Sequence, residues 1–492
     1  MTEAGLPDHV DVLIIGGGIS GIDAAYHMRR CRPNSSFAVL ESADAIGGTW
    51  HTHRFPGIRS DSDLFTFGFG WKPWTGVPIA TASEILTYLN EAIDENHLRD
   101  RIHLGHAVQS AEWSSDTKCW TVTVATSDDA APRQVTCGFL WMCAGYYSHK
   151  QGYTPQWPDM DRFEGQIIHP QNWPDDLEYA GKKVVVIGSG ATAATLVPAM
   201  TPSAGQVTMV QRSPTYYYPR PIMDDFNQTL SALNLPPEQY HDIMRRKFLH
   251  DSEVTARRAR EEPDALAKDL LAGVTAYLGE DHGLERHFSP SYPPWRQRVA
   301  LLPEGDMFTA IRDGNAEIVT DTIASFVPAG LRLGSGREIE ADIVVTATGL
   351  TLCMFGGIAL RIDGEPVNIS DRVTHRGLMF SDLPNFATVF GYLRSSWTLR
   401  ADLVSTYICR LFDHMDALNA DTVMPRVPKT HGAMPLRPWI DPENFNPGYI
   451  MRGLDQMPRQ GDRQPWIMTQ DYFQDRDDFP LADLDDGTLV YR

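Results

Sequence analysis

Two glycine-rich loops, each following an apolar run, constrain the fold of this chain more than any other feature. The first loop is Gly16-x-Gly18-x-x-Gly21 after "VDVLII", and a second loop of the same kind begins at Gly188 after "VVVI". An Ala-rich stretch typical of a helix follows each loop. In such a unit the glycines permit a tight turn and let the backbone approach a pyrophosphate at the helix N-terminus. We therefore predict an α/β fold with two Rossmann-like dinucleotide-binding domains.

In the first glycine-loop unit, the second apolar stretch ends in an acidic residue. Glu41 closes the next apolar stretch, "SFAVLES", about 20 residues after the last glycine, where a carboxylate can bind a ribose hydroxyl. An acid at this position disfavours a 2′-phosphate, so this unit suits FAD or NAD. The alternative for Glu41 is a solvated charge at the end of a strand.

The second unit differs at the corresponding place. Its loop is Gly188-x-Gly190-x-x-Ala193, and its second strand, "QVTMVQRSP", carries Arg212 and Ser213 where the acid would stand. An arginine in place of the acid is the expected change for binding a 2′-phosphate. This unit should therefore prefer NADPH, unless Arg212 is an ordinary surface arginine.

Length and charge exclude several classes of function. The chain has 492 residues with 63 acids against 43 bases, a formal net charge of −20. That balance argues against nucleic acid or an anionic membrane as the main partner. There is no run of eighteen apolar residues and no signal peptide, so we expect no transmembrane segment and a cytoplasmic location. No motif indicates an oligomeric state.

Cysteines and histidines do not suggest a metal or a redox-active disulfide. The six cysteines contain no C-x-x-C pair and several lie in apolar runs, which is typical of buried reduced thiols. His51-x-His53 and His103-x-x-His106 lack further ligands at suitable spacing, so we expect no metal site. Two small turns, Ala144-Gly145 and Ala347-Thr348-Gly349, follow apolar strands and could let the chain pass close to a dinucleotide or cross between domains. Otherwise they are ordinary strand ends.

The stretch "FEGQIIHPQNW", just before the second glycine loop, carries the family resemblance. Its pattern Phe163-x-Gly165-x-x-x-His169-x-x-x-Trp173 resembles the fingerprint of type I Baeyer–Villiger monooxygenases, and "GGTWHTHRFPGIRSD" resembles their second signature. Segments such as "PGIRSDSD", "HPQNWPDDLEY", "FGGIA" and "NPGYIMRGLDQMPRQG" are similar to the ethionamide-activating subgroup. The resemblance covers almost the whole chain and is weakest from about Tyr216 to Leu284.

The resemblance implies a division into parts and a role for the fingerprint segment. We expect residues 1–148 and 373–492 to form the FAD-binding domain, 149–215 the linker and first part of the NADPH-binding domain, 216–295 a helical insertion, and 296–372 the second part of the NADPH-binding domain. The linker would act as a hinge and lock, with His169 and Trp173 fixing it through a hydrogen bond and a buried ring. The alternative for His169 is a purely structural histidine.

The resemblance also implies the reaction. In this family NADPH reduces FAD, O2 adds to the reduced flavin, and the flavin peroxide converts ketones to esters or lactones and also oxygenates sulfides. Arg298 in "PPWRQRVALLPEGD" is the expected cation beside the peroxide, and Asp61 should hold it or tune the flavin. Arg296 is the rival arginine. The family tends to have lysine where this chain has Gln297. Without that lysine, the preference for NADPH would depend more on Arg212.

By motif position, two sets of residues should line the cofactors. The FAD set is Gly16, Gly18, Ser20, Gly21, Glu41, Gly48, Thr49, Trp50, Asp61 and Val108. The NADPH set is Arg59, Ser60, Gly188, Ser189, Gly190, Ala191, Thr192, Ala193, Arg212 and Ser213. Residues 395–399, "SSWTL", either line the substrate pocket or pack against the flavin domain.

Three other readings stay open at this point. A related class B flavin monooxygenase would act only on sulfur or nitrogen substrates. A disulfide reductase would need a redox-active cysteine pair, which is missing. A flavin-binding regulatory protein would bind FAD without turnover.

Overall fold

The computed structural model describes residues 5–126, 131–280, 282–429 and 434–492. It is an α/β structure with two large sheets, each carrying one of the glycine loops, which confirms the predicted fold class. Within the described residues no helix combines the length and apolarity needed to span a membrane.

The first third of the chain builds most of the larger sheet and the helices that cover it. Its elements are β1 His9–Ile15, α1 Ile19–Cys31, β2 Phe37–Leu40, α2 Thr49–Thr52, α3 Leu64–Phe67, α4 Ala82–Glu95, β3 Ile102–His103, β4 His106–Ser114, β5 Cys119–Thr126 and β6 Arg133–Met142. Strands β3, β2, β1 and β6 run parallel in that order, and β4, β5 and β6 form an antiparallel meander at the other side. Alternate residues of β1 enter two different cores, Val12 and Ile14 on one face and Leu13 and Ile15 on the other. A strand buried on both faces is what the unbroken apolar run predicts.

The middle of the chain builds the second sheet and a group of helices. Its elements are β7 Gln166–Ile168, β8 Lys183–Ile187, α5 Ala191–Met200, β9 Gln206–Gln211, β10 Tyr217–Arg220, α6 Asp225–Ala232, α7 Pro237–Glu261, α8 Pro263–Leu278, α9 Leu284–Phe288, β11 Ala300–Pro303, α10 Asp306–Arg312, β12 Ala316–Thr320, β13 Ile323–Val327, β14 Gly330–Leu333, β15 Glu338–Glu340 and β16 Ile343–Thr346. The order β12-β9-β8-β16-β7 is parallel throughout, with a small antiparallel sheet β13-β14-β15 beside it. Part of the fingerprint segment is thus the edge strand β7.

The helices of the segment 216–295 connect the two sheets' domains. Phe248 of α7 stacks on Phe65 of α3, with ring centroids 5.8 Å apart, and Arg245 Nη1 donates to the Phe65 carbonyl at 2.6 Å. On the other side α8 packs against β10 and α10. Strands β10 and β11 pair with each other, so the chain leaves and re-enters the second domain through one parallel strand pair.

The last part of the chain returns to the first sheet. Its elements are β17 Ala359–Ile362, β18 Glu365–Pro366, β19 Thr374–His375, β20 Met379–Phe380, β21 Phe386–Thr388, α11 Trp397–Ala417, β22 Val423–Pro425, β23 Arg437–Pro438, α12 Gly448–Met451, β24 Arg459–Gln460, α13 Tyr472–Asp478 and β25 Leu489–Tyr491. Strand β17 pairs with β4 and β21 with β6. The return at β17 differs from the sequence-based division, which placed it at residue 373, because the apolar pattern does not reveal which sheet a short strand joins.

Candidate active site between the two dinucleotide units

The first glycine loop and the turn at Gly48 face each other across a narrow gap. The Gly47 N–H donates to the Gly17 carbonyl at 3.0 Å, and a Cβ at Gly18 would lie 3.6 Å from Gly48 Cα. A Cβ at Gly21 would lie 1.8 Å from the Gly16 carbonyl oxygen, so only glycine fits there. The predicted FAD-lining glycines therefore form one continuous backbone surface.

The helices that follow the two glycine loops begin without a side-chain cap. Helix α1 begins after Gly18 and α5 after Gly190, and neither of these residues can supply a capping oxygen. By contrast, α4 has a complete capping box formed by Thr81 and Glu84. Apart from its two chain neighbours, no described residue comes within 4 Å of a Cβ built at Gly190. Free N–H groups and open space at a helix N-terminus fit a pyrophosphate, so both loops suit a dinucleotide.

Glu41 is not a solvated charge. Its side chain is 8% exposed and accepts hydrogen bonds from the Gly17 N–H at 2.7 Å and the Ala43 N–H at 2.8 Å. These contacts fix the carboxylate at the end of β2, beside the glycine loop. The Glu41 carbonyl also accepts from the His106 N–H at 2.8 Å, which brings β4 to the same place. A β-bulge follows Val108 in β4. At a bulge, backbone groups are left out of the regular hydrogen bonding between the two strands.

The second glycine loop also requires its glycine. Gly188 has φ of 132°, and a Cβ there would lie 2.3 Å from the Ala347 carbonyl oxygen. The next residue, Ser189, hydrogen bonds through Oγ to Thr215 Oγ1 at 2.7 Å. Arg212 and Ser213 are both exposed. Among the described residues Arg212 has no hydrogen-bond or ion-pair partner, so its charge is free for a ligand.

The signature turn that contains Arg59 and Ser60 lies against the second domain. A Cβ at Gly57 would lie 2.6 Å from Ala199 Cβ of α5. Arg59 Nη1 pairs with Asp306 Oδ2 at 2.7 Å, while its Nη2 is buried without a hydrogen-bond partner among the described residues. Ser60 is buried, and its hydroxyl donates to the Ser62 carbonyl at 2.6 Å. Arg59 therefore has a donor left for a ligand, whereas the Ser60 side chain is turned into its own loop.

The structure brings Arg298 and Asp61 together at this junction. Arg298 Nε donates to Asp61 Oδ2 at 2.7 Å, and its Nη1 donates to the Leu393 carbonyl at 3.0 Å. Both side chains are about one-third exposed, at 32% and 35%. Burial lowers the pKa of Arg298, but the Asp61 carboxylate outweighs it and raises that pKa above its ordinary value. The result is a permanent cation held in a fixed direction. The rival Arg296 has no ion pair among the described residues.

The fingerprint residues tie the linker to the second domain. His169 Nε2 lies 3.1 Å from the Gly349 carbonyl oxygen, and a Cβ at Gly152 would lie 2.0 Å from the His169 ring. Phe163 is buried against Phe326, with ring centroids 5.8 Å apart, and Trp173 packs on the core of the second domain. Gly165 has no alternative, because a Cβ there would lie 2.3 Å from the Asp342 carbonyl oxygen.

Comparisons with known proteins decide the family. A family described as flavin-binding monooxygenase-like matches residues 78–230, and one described as an NAD(P)-binding Rossmann-like domain matches residues 14–75. The FAD-containing monooxygenase EthA of Mycolicibacterium smegmatis is 46% identical over 472 residues, which cover 96% of this chain and 94% of that protein. The chain belongs to the family of FAD-containing monooxygenases.

Solved structures show the same fold at lower identity. An oxidized steroid monooxygenase bound to NADP has a TM-score of 0.75 at 21% identity and covers 98% of this chain and 99% of its own. OTEMO in complex with FAD and NADP has a TM-score of 0.67 at 21% identity, covering 85% and 87%. The family assignment drawn from the fingerprint residues, a flavoprotein monooxygenase of the Baeyer–Villiger type near the ethionamide-activating subgroup, is confirmed.

Two tyrosines that the sequence analysis did not single out lie beside the Arg298–Asp61 pair of the monooxygenase. Burial raises the pKa of both Tyr146 and Tyr449, and their ring centroids lie 6.4 Å apart. The positive charge of Arg298 acts on both hydroxyls in the opposite direction. Both therefore stay protonated at neutral pH and can donate hydrogen bonds next to a fixed cation. Tyr146 follows the Ala144-Gly145 turn, and the turn was the only signal in its neighbourhood.

The stretch 395–399 of the monooxygenase packs against the flavin-binding residues. Trp397 Nε1 donates to Ser20 Oγ at 2.8 Å, and the Trp397 ring stacks on Tyr146 with centroids 5.3 Å apart. Thr49 Oγ1 hydrogen bonds to the Tyr147 hydroxyl at 2.7 Å, next to Tyr146 in the chain. Trp50 packs instead on the core at the other face of the sheet, with its ring centroid 5.7 Å from that of Phe67. Trp397 thus lies between Ser20 and Tyr146, so it packs on the FAD loop and also faces the tyrosine pair.

Three histidines that stay neutral, His53, His149 and His169, lie between the flavin-binding residues and the linker. Burial, followed by the nearby His149 and His169, lowers the pKa of His53 to about 4. Burial also lowers the pKa values of His149 and His169. His53 Nε2 lies 3.3 Å from the Tyr147 hydroxyl, while its Nδ1 is buried without a partner among the described residues. The surroundings of these three imidazole rings therefore disfavour their protonation.

Proposed function

We propose that this monooxygenase uses NADPH and O2 to convert ketones to esters or lactones, and that it also oxygenates sulfides. The observation that carries the proposal is the Arg298–Asp61 pair at the junction of the two dinucleotide units, next to Tyr146 and Tyr449. A fixed cation with hydrogen-bond donors around it is the arrangement that stabilises negative charge developing on oxygen.

The cofactors are assigned to the two cradles. FAD is held by Gly16, Gly18, Ser20, Gly21, Glu41, Gly48, Thr49, Trp50, Asp61 and the backbone of Val108. NADPH is held by Arg59, Ser60, Gly188, Ser189, Gly190, Ala191, Thr192, Ala193, Arg212 and Ser213, with the Arg212 guanidinium on the 2′-phosphate. The unpaired Arg212 and the spare Nη2 of Arg59 support this assignment. Ser60 and Ala193 would contribute through their backbone, since both side chains are buried.

The domains divide accordingly. Residues 1–148 and the returning chain from 359 onward form the FAD-binding part, and 149–215 with 296–358 form the NADPH-binding part around the insertion 216–295. The pairing of β17 with β4 supports a return to the FAD-binding part already at residue 359.

Each protein group has a separate task. When bound and reduced, the flavin supplies the activation of O2. Arg298 supplies a permanent positive charge next to the reacting oxygen, and Asp61 holds the guanidinium in place and keeps it charged. The protonated hydroxyls of Tyr146 and Tyr449 donate toward the substrate oxygen. The Trp397 ring, between Ser20 and Tyr146, excludes water from the flavin side.

The choice between ketones and sulfur or nitrogen substrates depends on that charge. Attack on a ketone carbonyl needs a negatively charged, nucleophilic oxygen, whereas attack on sulfur or nitrogen needs a neutral, electrophilic one. A guanidinium that is always protonated favours the negative form. The ketone reaction is therefore the first candidate, and a flavin monooxygenase acting only on sulfur or nitrogen is the second.

The test is a panel of linear, cyclic and aryl ketones and of sulfides, scored for oxygenated product with NADPH. We expect ester or lactone from at least one ketone class. Arg298→Ala should keep its bound FAD and lose ester formation by about 100-fold or more, the usual effect of removing such a donor. Arg296→Ala is the matched control and should behave like the native enzyme. Sulfoxide without any ester, or native ester formation by Arg298→Ala, would overturn the proposal.

A further inference from the structure

A cluster of thiophilic ligands lies away from the active site, where helices α1 and α11 pack together. His27 and Cys31 stand four residues apart on α1, and Cys409 lies on α11. One imidazole nitrogen of His27 and the two sulfur atoms lie within 4.8 Å of one another. The group has no local sequence signal, because Cys409 lies 382 residues after His27 and 378 residues after Cys31.

Carboxylates hold the imidazole of this cluster in a fixed orientation. His27 Nε2 is 2.8 Å from Asp402 Oδ1 and 3.8 Å from Asp23 Oδ1. Asp23 is itself held, since Trp71 Nε1 donates to its Oδ1 at 3.0 Å and Ser405 Oγ to its Oδ2 at 2.8 Å. A carboxylate on one imidazole nitrogen leaves the other nitrogen oriented for a metal, the usual second shell of metal-binding histidines.

Access and charge also suit a cation. Cys31 is exposed at the last turn of α1, whereas Cys409 is 5% exposed. The Cys409 thiol donates a long hydrogen bond to the His27 carbonyl at 3.8 Å. The three protein ligands therefore lie on the inner side of this site, and its solvent-facing side stays open to a water. The Asp402 and Asp23 carboxylates beside the imidazole supply negative charge that favours a bound dication.

We propose that His27, Cys31 and Cys409 bind a thiophilic divalent cation, with Zn²⁺ the expected ion and solvent in the fourth position. Zn²⁺ prefers sulfur and imidazole ligands such as these, whereas hard cations such as Mg²⁺ do not prefer them. Binding releases the thiol protons. The ion would join α1, which begins at the first glycine loop, to α11, which begins at Trp397. It would thus brace the FAD loop against the helix that carries Trp397.

The experiment uses the full-length, FAD-loaded protein, reduced with a phosphine and freed of metal by a chelator. Co²⁺ is added as the probe, and its visible absorption is followed at the red end of the spectrum, where oxidised flavin does not absorb. We expect one Co²⁺ per chain with tetrahedral, thiolate-type bands that Zn²⁺ bleaches. Bound Zn²⁺ should also raise the midpoint of thermal unfolding and protect Cys31 from alkylation.

Variants separate the site from adventitious binding. Cys31→Ser, at an exposed position, should abolish the Co²⁺ bands, as should His27→Asn and Cys409→Ser, with the flavin spectrum as the control for folding. Cys353→Ser, outside the cluster, should retain them. Asp402→Asn should weaken binding by about 10–100-fold, the usual effect of losing such a partner. Equal Co²⁺ uptake by Cys31→Ser and the native protein, or no uptake by the native protein, would overturn the proposal.

Discussion

His169 in the fingerprint segment and Gly349 in the Ala347-Thr348-Gly349 turn are joined by a hydrogen bond whose direction the structure defines. The Gln171 N–H, which can only donate, lies 3.2 Å from His169 Nδ1, so Nδ1 is the acceptor. Nε2 therefore carries the proton and donates to the Gly349 carbonyl at 3.1 Å. Burial lowers the pKa of His169, which favours this neutral form. The linker is thus held by an uncharged donor that does not depend on pH near neutrality.

We predict that His169→Ala uncouples the reaction. The variant removes one of two donors to the Gly349 carbonyl, the other being the Tyr153 N–H at 2.9 Å. A hydrogen bond contributes about 1 kcal/mol, or roughly fivefold to tenfold in the population of the docked linker. The ratio of oxygenated product to NADPH consumed should fall by that factor, while FAD content stays native. His250→Ala, on the exposed side of α7, is the control. Equal losses of FAD and of coupling would mean that His169 is only structural.

Arg212 should decide between NADPH and NADH. It is exposed, has no partner among the described residues, and follows β9 at the place where the first unit has Glu41. Loss of a charge-assisted hydrogen bond costs about 1.5–3 kcal/mol. Arg212→Ala should therefore raise the KM for NADPH by about 10- to 100-fold and leave the KM for NADH unchanged. Arg246→Ala, another exposed arginine, should change neither. An unaltered KM for NADPH in Arg212→Ala would show that the phosphate binds elsewhere.

The local features of the site could be predicted from the sequence, and the long-range ones could not. The glycine loops and Glu41 lie within one strand–loop–helix unit, so their spacing alone reveals them. Asp61 and Arg298 are 237 residues apart, and only the family resemblance brought them together. Tyr449 lies in the tail segment that resembles the subgroup, but a lone tyrosine in a polar tail gives no local signal of a position beside Arg298. Cys409 also had no local signal for its role. Its position in an apolar helix indicates that the side chain is buried, but not which residues lie next to it.

Tyr449 should contribute to the oxygenation step itself. Its ring lies near that of Tyr146, with centroids 6.4 Å apart, and its hydroxyl lies in the field of Arg298, so it can donate to a substrate oxygen. Tyr449→Phe keeps the ring and removes the donor, and we expect kcat for ester formation to fall by about fivefold to tenfold. The KM for NADPH should not change, since the cofactor cradle is untouched. Tyr153→Phe, whose ring lies under Arg452, is the matched control. A raised KM for NADPH with native kcat would place Tyr449 in cofactor binding instead.

His53 should make the folded protein sensitive to acid. Its pKa is lowered from 6.5 to about 4, so the unfolded chain takes up a proton at this ring as the pH falls through 6.5 while the folded chain does not until about 4. Stability is therefore full above pH 6.5 and is lost between about pH 6.5 and 4, by up to about 3 kcal/mol from this group. His53→Gln removes the titration, so its free energy of unfolding, measured by denaturant at several pH values, should fall less steeply over that window. His9→Gln, at an exposed position, should keep the native slope. Parallel slopes for His53→Gln and the native protein would show that folding leaves the pKa of this ring unchanged.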